Sequence, residues 1–158
     1  MKLLCFHARD LRLEAGIHGS PAKQKQTERL LRERLGNALP LLDDSNRRTE
    51  SKNALLVFVC AEKGDDRLNL IPVRDDIVRA RAMLGVADIV VGAFGHLSDQ
   101  VADPSLARTI IDNLVESIRP IHPGIKTFPF GWDKTLDLHV PLHHFNVSFR
   151  SYSPRDIS

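Results

Sequence analysis

Eight consecutive apolar residues, Ala54-Leu55-Leu56-Val57-Phe58-Val59-Cys60-Ala61, constrain this chain more than any other feature. The run is rich in valine, leucine and aromatic character and has no polar alternation, which reads as a strand buried inside a sheet. Its length is well short of the roughly 20 apolar residues a membrane helix needs. Asp88–Phe94 is a second buried strand and Lys2–His7 a third, buried on both faces. Leu11, Leu13, Ala15 and Ile17 alternate with polar residues and predict a further strand, broken by Gly19-Ser20-Pro21.

Helical spacing appears between these runs. Ala22–Leu35 is charged with Leu30, Leu31 and Leu35 to one side, and Gly36 stops it as a C-terminal cap. Pro72 opens a helix whose stripe is Val73, Ile77, Ala80 and Leu84, closed by Gly85. Asp103-Pro104 starts another, Asp as cap and Pro in the first turn, with Leu106, Ile110, Leu114 and Ile118 as its core stripe. Residues 43–53 are polar and predict a mobile loop, and 63–67 a turn. After Pro123, strands are expected near 126–130, 133–140 and 145–150. Strands at both ends and alternation in the middle predict an α/β (α+β) fold, a mainly β core with two or three helices.

The sequence of 158 residues argues for one domain, 1–158. An apolar fraction of 42% and a net charge of only +2 exclude a disordered chain. The charge does not mark a nucleic-acid binder, and local patches matter more than the sum. Cys5 and Cys60 are not in a CxxC pair and read as buried hydrophobes in a reducing compartment. With no apolar span and no signal-peptide core, no membrane association and a cytoplasmic location are expected.

Three segments could carry chemistry. Phe94-Gly95-His96-Leu97-Ser98 leaves a buried strand into a loop, where α/β proteins bind ligands. Pro129-Phe130-Gly131-Trp132-Asp133-Lys134 makes a glycine turn, after which Lys134 shares strand parity with Leu136, Leu138 and Val140. An inward lysine either meets an anion in a polar cleft or snorkels to water. His7 is in phase with Leu3 and Cys5, and alone reads as a core histidine. His139, His143 and His144 have Pro141 among them and no acidic or cysteine partner nearby, so no metal site is expected. The basic residues Lys23, Lys25, Arg29, Arg32, Arg34, Arg47 and Arg48 are mixed with Glu28, Glu33 and Glu50; a solvated face is the plainer reading and contact with RNA phosphates the sharper one.

Together these segments resemble the archaeal-type N-terminal editing domain of threonyl-tRNA synthetase. The features in register are Leu3–His7, Ala54–Lys63, Phe94–Ser98, Ala102–Ala107 and Pro129–Lys134, in family order up to about residue 140; residues 14–53 match poorly and are longer. The resemblance implies a D-aminoacyl-tRNA deacylase-like fold, a homodimer, no metal or cofactor, and hydrolysis of the ester between an amino acid and the terminal adenosine of tRNA. It implies L-seryl-tRNA(Thr) as main target, with D-aminoacyl-tRNA a further one and the tRNA 2′-hydroxyl helping to activate water.

The family lysine corresponds to Lys134 and the loop histidine to His96, expected to be catalytic. Substrate is expected against Val59, Cys60, Ala61, Phe94, Gly95, Phe130, Gly131, Trp132 and Asp133. His7 and Glu62 lie on segments that line the family's pocket. Two positions depart from the pattern: Asp133 stands where the family has an aromatic residue, and Pro141-Leu142-His143-His144 where it has a glutamate. Editing in trans would need tRNA binding by this chain itself or with a threonyl-tRNA synthetase. The competing readings are a non-catalytic tRNA- or synthetase-binding module, a broader D-aminoacyl-tRNA deacylase and, more remotely, a metal hydrolase.

Overall fold

The computed structural model describes residues 1–154, in which six strands form one mixed sheet flanked by three helices. In chain order these are β1 (Lys2–Gly16), α1 (Pro21–Leu35), β2 (Arg48–Cys60), α2 (Leu70–Leu84), β3 (Asp88–Ala93), α3 (Pro104–Ile118), β4 (Lys126–Thr127), β5 (Asp133–His139) and β6 (Val147–Ser151). The sheet order is β4-β3-β2-β1-β5, with β6 also on β1. β2, β3 and β4 run parallel, joined by crossovers through α2 and α3. β1 is antiparallel to β2, from Lys2↔Cys60 to Glu14↔Arg48. Its other edge is shared end to end: Lys2–Phe6 pairs with β6 and Asp10–Gly16 with β5.

The helical stripes read from the sequence bury themselves. α3 is capped by Asp103, whose side chain accepts from Ser105 N, and presents Ile110, Leu114 and Ile118 to the sheet. α2 is capped by Asn69 and presents Val73 and Ile77. Both meet Leu3, Cys5, Leu55, Val57, Val59, Ile89 and Val91 on one face. Leu114 is wholly buried, so truncation to alanine there would remove about 2–5 kcal/mol. The opposite face gathers Ala8, Leu11, Leu13, Leu56, Phe58, Val90 and Phe128.

Ala8 and Leu11 pack in the same cluster although their parity differs, and across the ladder Ala54 joins that cluster while Ser51 and Thr49, of the other parity, are buried opposite Leu11 and Leu13. The faces therefore exchange at Arg9 and Asn53, between the flanking pairs Ala8↔Ala54 and Asp10↔Lys52. Asn53 has φ 54°, a left-handed conformation that asparagine tolerates better than most side chains. One long strand thus feeds two cores.

Several boundaries differ from expectation. The two N-terminal strands are one, because ladders on both edges carry β1 through its polar stretch. Leu4 and Phe6 are half-buried rather than buried, since α2 and α3 cover only the other face. The expected loop 43–53 is strand from Arg48 on, held by its pairing with 10–14. The strand expected at 126–130 is only Lys126–Thr127, ended by Pro129, which has no N–H to donate.

Candidate active site

A cleft of about 790 Å³ opens at the C-terminal ends of the parallel strands β2 and β3. Val59, Cys60 and Ala61 line it from β2, Ala93 to His96 from β3 and its exit, and Pro104, Ala107 and Ile111 from α3. The turn 130–134 closes one side and Arg34 and Leu35, at the end of α1, another.

Each wall has a local cause. Phe94 N donates to Val59 O at 2.9 Å, carrying the ladder one step past β3 before Gly95–Leu97 turns as a 3-10 helix. The exposed His96 ring stands edge-on to Phe94, centroids 5.2 Å apart. The loop is tied from behind, where Ser98 Oγ donates to Glu62. Glu62 also meets the Met1 ammonium at 3.1 Å and Lys2 at 3.2 Å. Partial burial opposes its charge, but the donors from Ser98, Met1 and Lys2 prevail and lower its pKa.

Across the cleft, Gly131 has φ 78°, and a Cβ there would lie 2.5 Å from Leu35 Cδ1. Glycine lets the turn bend and lets α1 settle on it. Trp132, buried, donates its indole N–H to Pro40 O at 3.0 Å. Lys134 then enters β5 half-buried between exposed Asp133 and Thr135. Its Nζ donates to Trp132 O at 2.8 Å and lies 5.3 Å from the Phe128 ring centre. Burial lowers its pKa, with the Asp133 carboxylate acting the other way. Phe128 fits because position 92 is glycine: a Cβ there would lie 2.1 Å from the ring.

The expected site residues converge here, except two. His7 lies in β1 outside the lining, its Nδ1 2.7 Å from His143 Nε2 and its Nε2 2.9 Å from Asn53 Oδ1. The Glu62 carboxylate is committed to the ion cluster behind the loop. Sequence reasoning does not place His18, Arg34 or Leu35 in the lining: Arg34 reads only as one of a set of basic residues, Leu35 as helix core, and the stretch has no legible site pattern. Pro104 and Ala107 lay in a segment already singled out, but only as a helix start.

The lining is largely apolar, with the half-buried Lys134 ammonium, the Arg34 guanidinium, the imidazoles of His18 and His96 and, among the described residues, Asp133 as its carboxylate. Such a place strengthens any charge contact made within it. Cys60 Sγ contacts Gly95 O at 3.8 Å, and burial first, then the Glu62 charge, raises the thiol pKa, so it is a poor thiolate nucleophile. Among the described residues no group of three or more His, Cys, Asp or Glu is arranged to hold a metal, and no helix is long and apolar enough to cross a membrane.

Residues 1–151 match the family described as the archaea-specific editing domain of threonyl-tRNA synthetase. The threonine–tRNA ligase of Thermofilum pendens is 30% identical over 156 residues, covering 98% of this chain and 23% of that protein. The threonine–tRNA ligase editing subunit of Saccharolobus solfataricus is 32% identical over 94 residues, 60% of this chain and 24% of that one. The chain spans about a quarter of the length of these relatives. Among solved structures, the c-Myc DNA unwinding element binding protein superposes with a TM-score of 0.68 over 97% of this chain and 99% of that one, at 10% identity, a likeness of fold alone.

Proposed function

Because the chain belongs to the archaea-specific editing-domain family of threonyl-tRNA synthetase, we propose that it is a deacylase that hydrolyses L-serine from mischarged tRNA(Thr), with D-aminoacyl-tRNA as a second substrate. The observation that carries this reading is the convergence of Lys134 and His96, from segments far apart in sequence, on one largely apolar cleft.

Water adds to the ester carbonyl carbon, and the carbonyl oxygen takes up negative charge. The C–O bond to the ribose then breaks, and a proton reaches the departing ribose oxygen. The Lys134 ammonium, 2.8 Å from Trp132 O on the cleft wall, is the donor to the developing oxyanion in this reading, with the backbone N–H groups of Gly95 and His96 as further donors. His96 stands at the mouth, suited to guide the attacking water or the terminal ribose. Excluding threonine while accepting serine is a steric decision about one methyl, needed because a synthetic site gains only roughly 1–3 kcal/mol from such a group.

The same reading makes tRNA the partner, places the work in the cytoplasm and adds association with a threonyl-tRNA synthetase. It also gives a homodimer. Val147 and Phe149 on β6 are 45% and 57% exposed beside Leu4 and Phe6, leaving apolar sheet surface for a second copy. The stretch Pro141-Leu142-His143-His144, where the family has a glutamate, favours one other reading, a tRNA- or synthetase-binding module without turnover. A deacylation panel with seryl-, threonyl- and D-aminoacyl-tRNA separates these. Release of serine but not threonine is expected, and no release from any of them would leave the binding module.

A further inference from the structure

The mouth of the cleft continues onto α1, a helix within the stretch that departs most from the family pattern. Arg34 and His18 line the cleft itself. Eleven residues separate Arg34 from Lys23, which at about 100° per residue brings them within about 20° of the same face, roughly 16 Å apart along the axis. Thr27 and Leu30 share that face, Leu30 being 54% exposed, an apolar rest for a base.

The charges on α1 are not equivalent. Arg29 pairs with Glu33 at 2.9 Å and Arg32 with Glu28 at 2.7 Å. Among the described residues, Lys23, Lys25 and Arg34 have no acidic partner, and Asp133, the carboxylate of the cleft lining, forms no ion pair with Arg34. Two of these cations, Lys23 and Arg34, thus share one flank of the helix, with Arg34 at the cleft, whereas Lys25 lies on the opposite side. A cleft of about 790 Å³ has room for a nucleoside and its ester.

We propose that the Arg34–Lys23 face of α1, with His18 at its start, is the track that holds the backbone phosphates of the unpaired 3′ end of the RNA whose terminal ester enters the cleft. This rests on the deacylase reading for the identity of the RNA. The contacts are to phosphate, so they fix the strand's path without reading its sequence.

The test uses the full chain, the double variant Lys23→Ala/Arg34→Ala, and Arg29→Ala as a control on another face of the helix. Anisotropy binding of a short single-stranded RNA ending in a 3′ adenosine is followed as salt is raised, beside kcat/KM on seryl-tRNA and on the phosphate-free ester seryl-adenosine. The double variant is expected to bind the RNA about 10-fold or more weakly and to lose about 0.7 from the log–log salt slope for each phosphate contact removed. Its loss on seryl-tRNA should exceed its loss on seryl-adenosine by a similar factor, and Arg29→Ala should track the parent. Unchanged RNA binding and salt slope in the double variant would overturn the proposal, even if that variant no longer bound an acidic protein partner such as the synthetase. If the parent binds the RNA through these residues yet hydrolyses neither ester, the track stands and the deacylase reading falls.

Discussion

Lys134 Nζ lies 5.3 Å from the centre of the Phe128 ring. The ring is there because Gly92 offers no Cβ, and the ammonium is there because Trp132 O accepts from it. The Lys134 cation is therefore held by groups of its own chain, on a platform set by a glycine in β3. Cation and ring attract, while the low surrounding polarity makes the charge a stronger partner for any anion that arrives.

Replacing Lys134 with methionine keeps the stem and removes the charge. Seryl-tRNA deacylation should fall about 30- to 1,000-fold, the range for one donor to an oxyanion at roughly 2–4 kcal/mol. Burial lowers the native pKa of Lys134, so the folded protein releases this proton before the unfolded chain does. Over that window the unfolded chain binds more protons, and this group's contribution to stability rises with pH. The thermal midpoint of the variant at neutral pH should thus equal or exceed the parent's. Activity of the parent, corrected for spontaneous ester loss, should decline on the alkaline side below the ordinary lysine range. Full activity in Lys134→Met would remove the lysine from the chemistry.

Gly131→Ala meets both a left-handed φ and the Leu35 side chain. A loss of about 2–4 kcal/mol is expected from strain and overpacking together. Denaturant unfolding of a double-mutant cycle checks it: Leu35→Ala should be less destabilising in the Gly131→Ala background than alone. Strict additivity would show that the two positions do not meet.

Asn53 separates conformation from hydrogen bonding. Asn53→Gly keeps access to φ 54° and loses the bond to His7, whereas Asn53→Ala loses both. Alanine should be the more destabilising by about 1 kcal/mol. The reverse order in chemical denaturation would mean that the face exchange in β1 and β2 does not depend on this residue.

Glu62 tests the support of the His96 loop. Its carboxyl pKa is lowered in the folded state, so its contribution is present above the ordinary carboxylate range and is lost as pH falls through the native value. Glu62→Gln should have a lower thermal midpoint than the parent at pH 7, with the gap closing below about pH 4. A gap that did not vary with pH would assign the effect to packing.

Much of this was legible in the chain. The runs at Ala54 and Asp88 mark the central parallel pair, and the caps at Asp103 and Gly85 mark helix ends, because each is set by local chemistry. Strand parity put Lys134 on the inner side of β5, where it is half-buried. What escaped was set by partners distant in sequence. Residues 48–53 look like loop until Asp10–Glu14 pairs with them, and Arg34 looks like solvated surface until Leu35 settles over Gly131. His7 alone reads as a core histidine and only the family resemblance puts it on a pocket segment; its bonds go to Asn53 and His143.

The shared outer edge of β1 has a consequence for biosynthesis. This 15-residue strand is made long before β5 and β6, the segments that complete its edge. While the ribosome is still adding the intervening residues, the nascent chain carries an open row of backbone donors and acceptors beside apolar Leu4 and Phe6. Closure awaits contacts across more than a hundred residues, the slow kind. Substitutions that delay docking of β5 or β6 will therefore lower soluble yield during expression more than they lower the equilibrium stability of the molecules that finish folding.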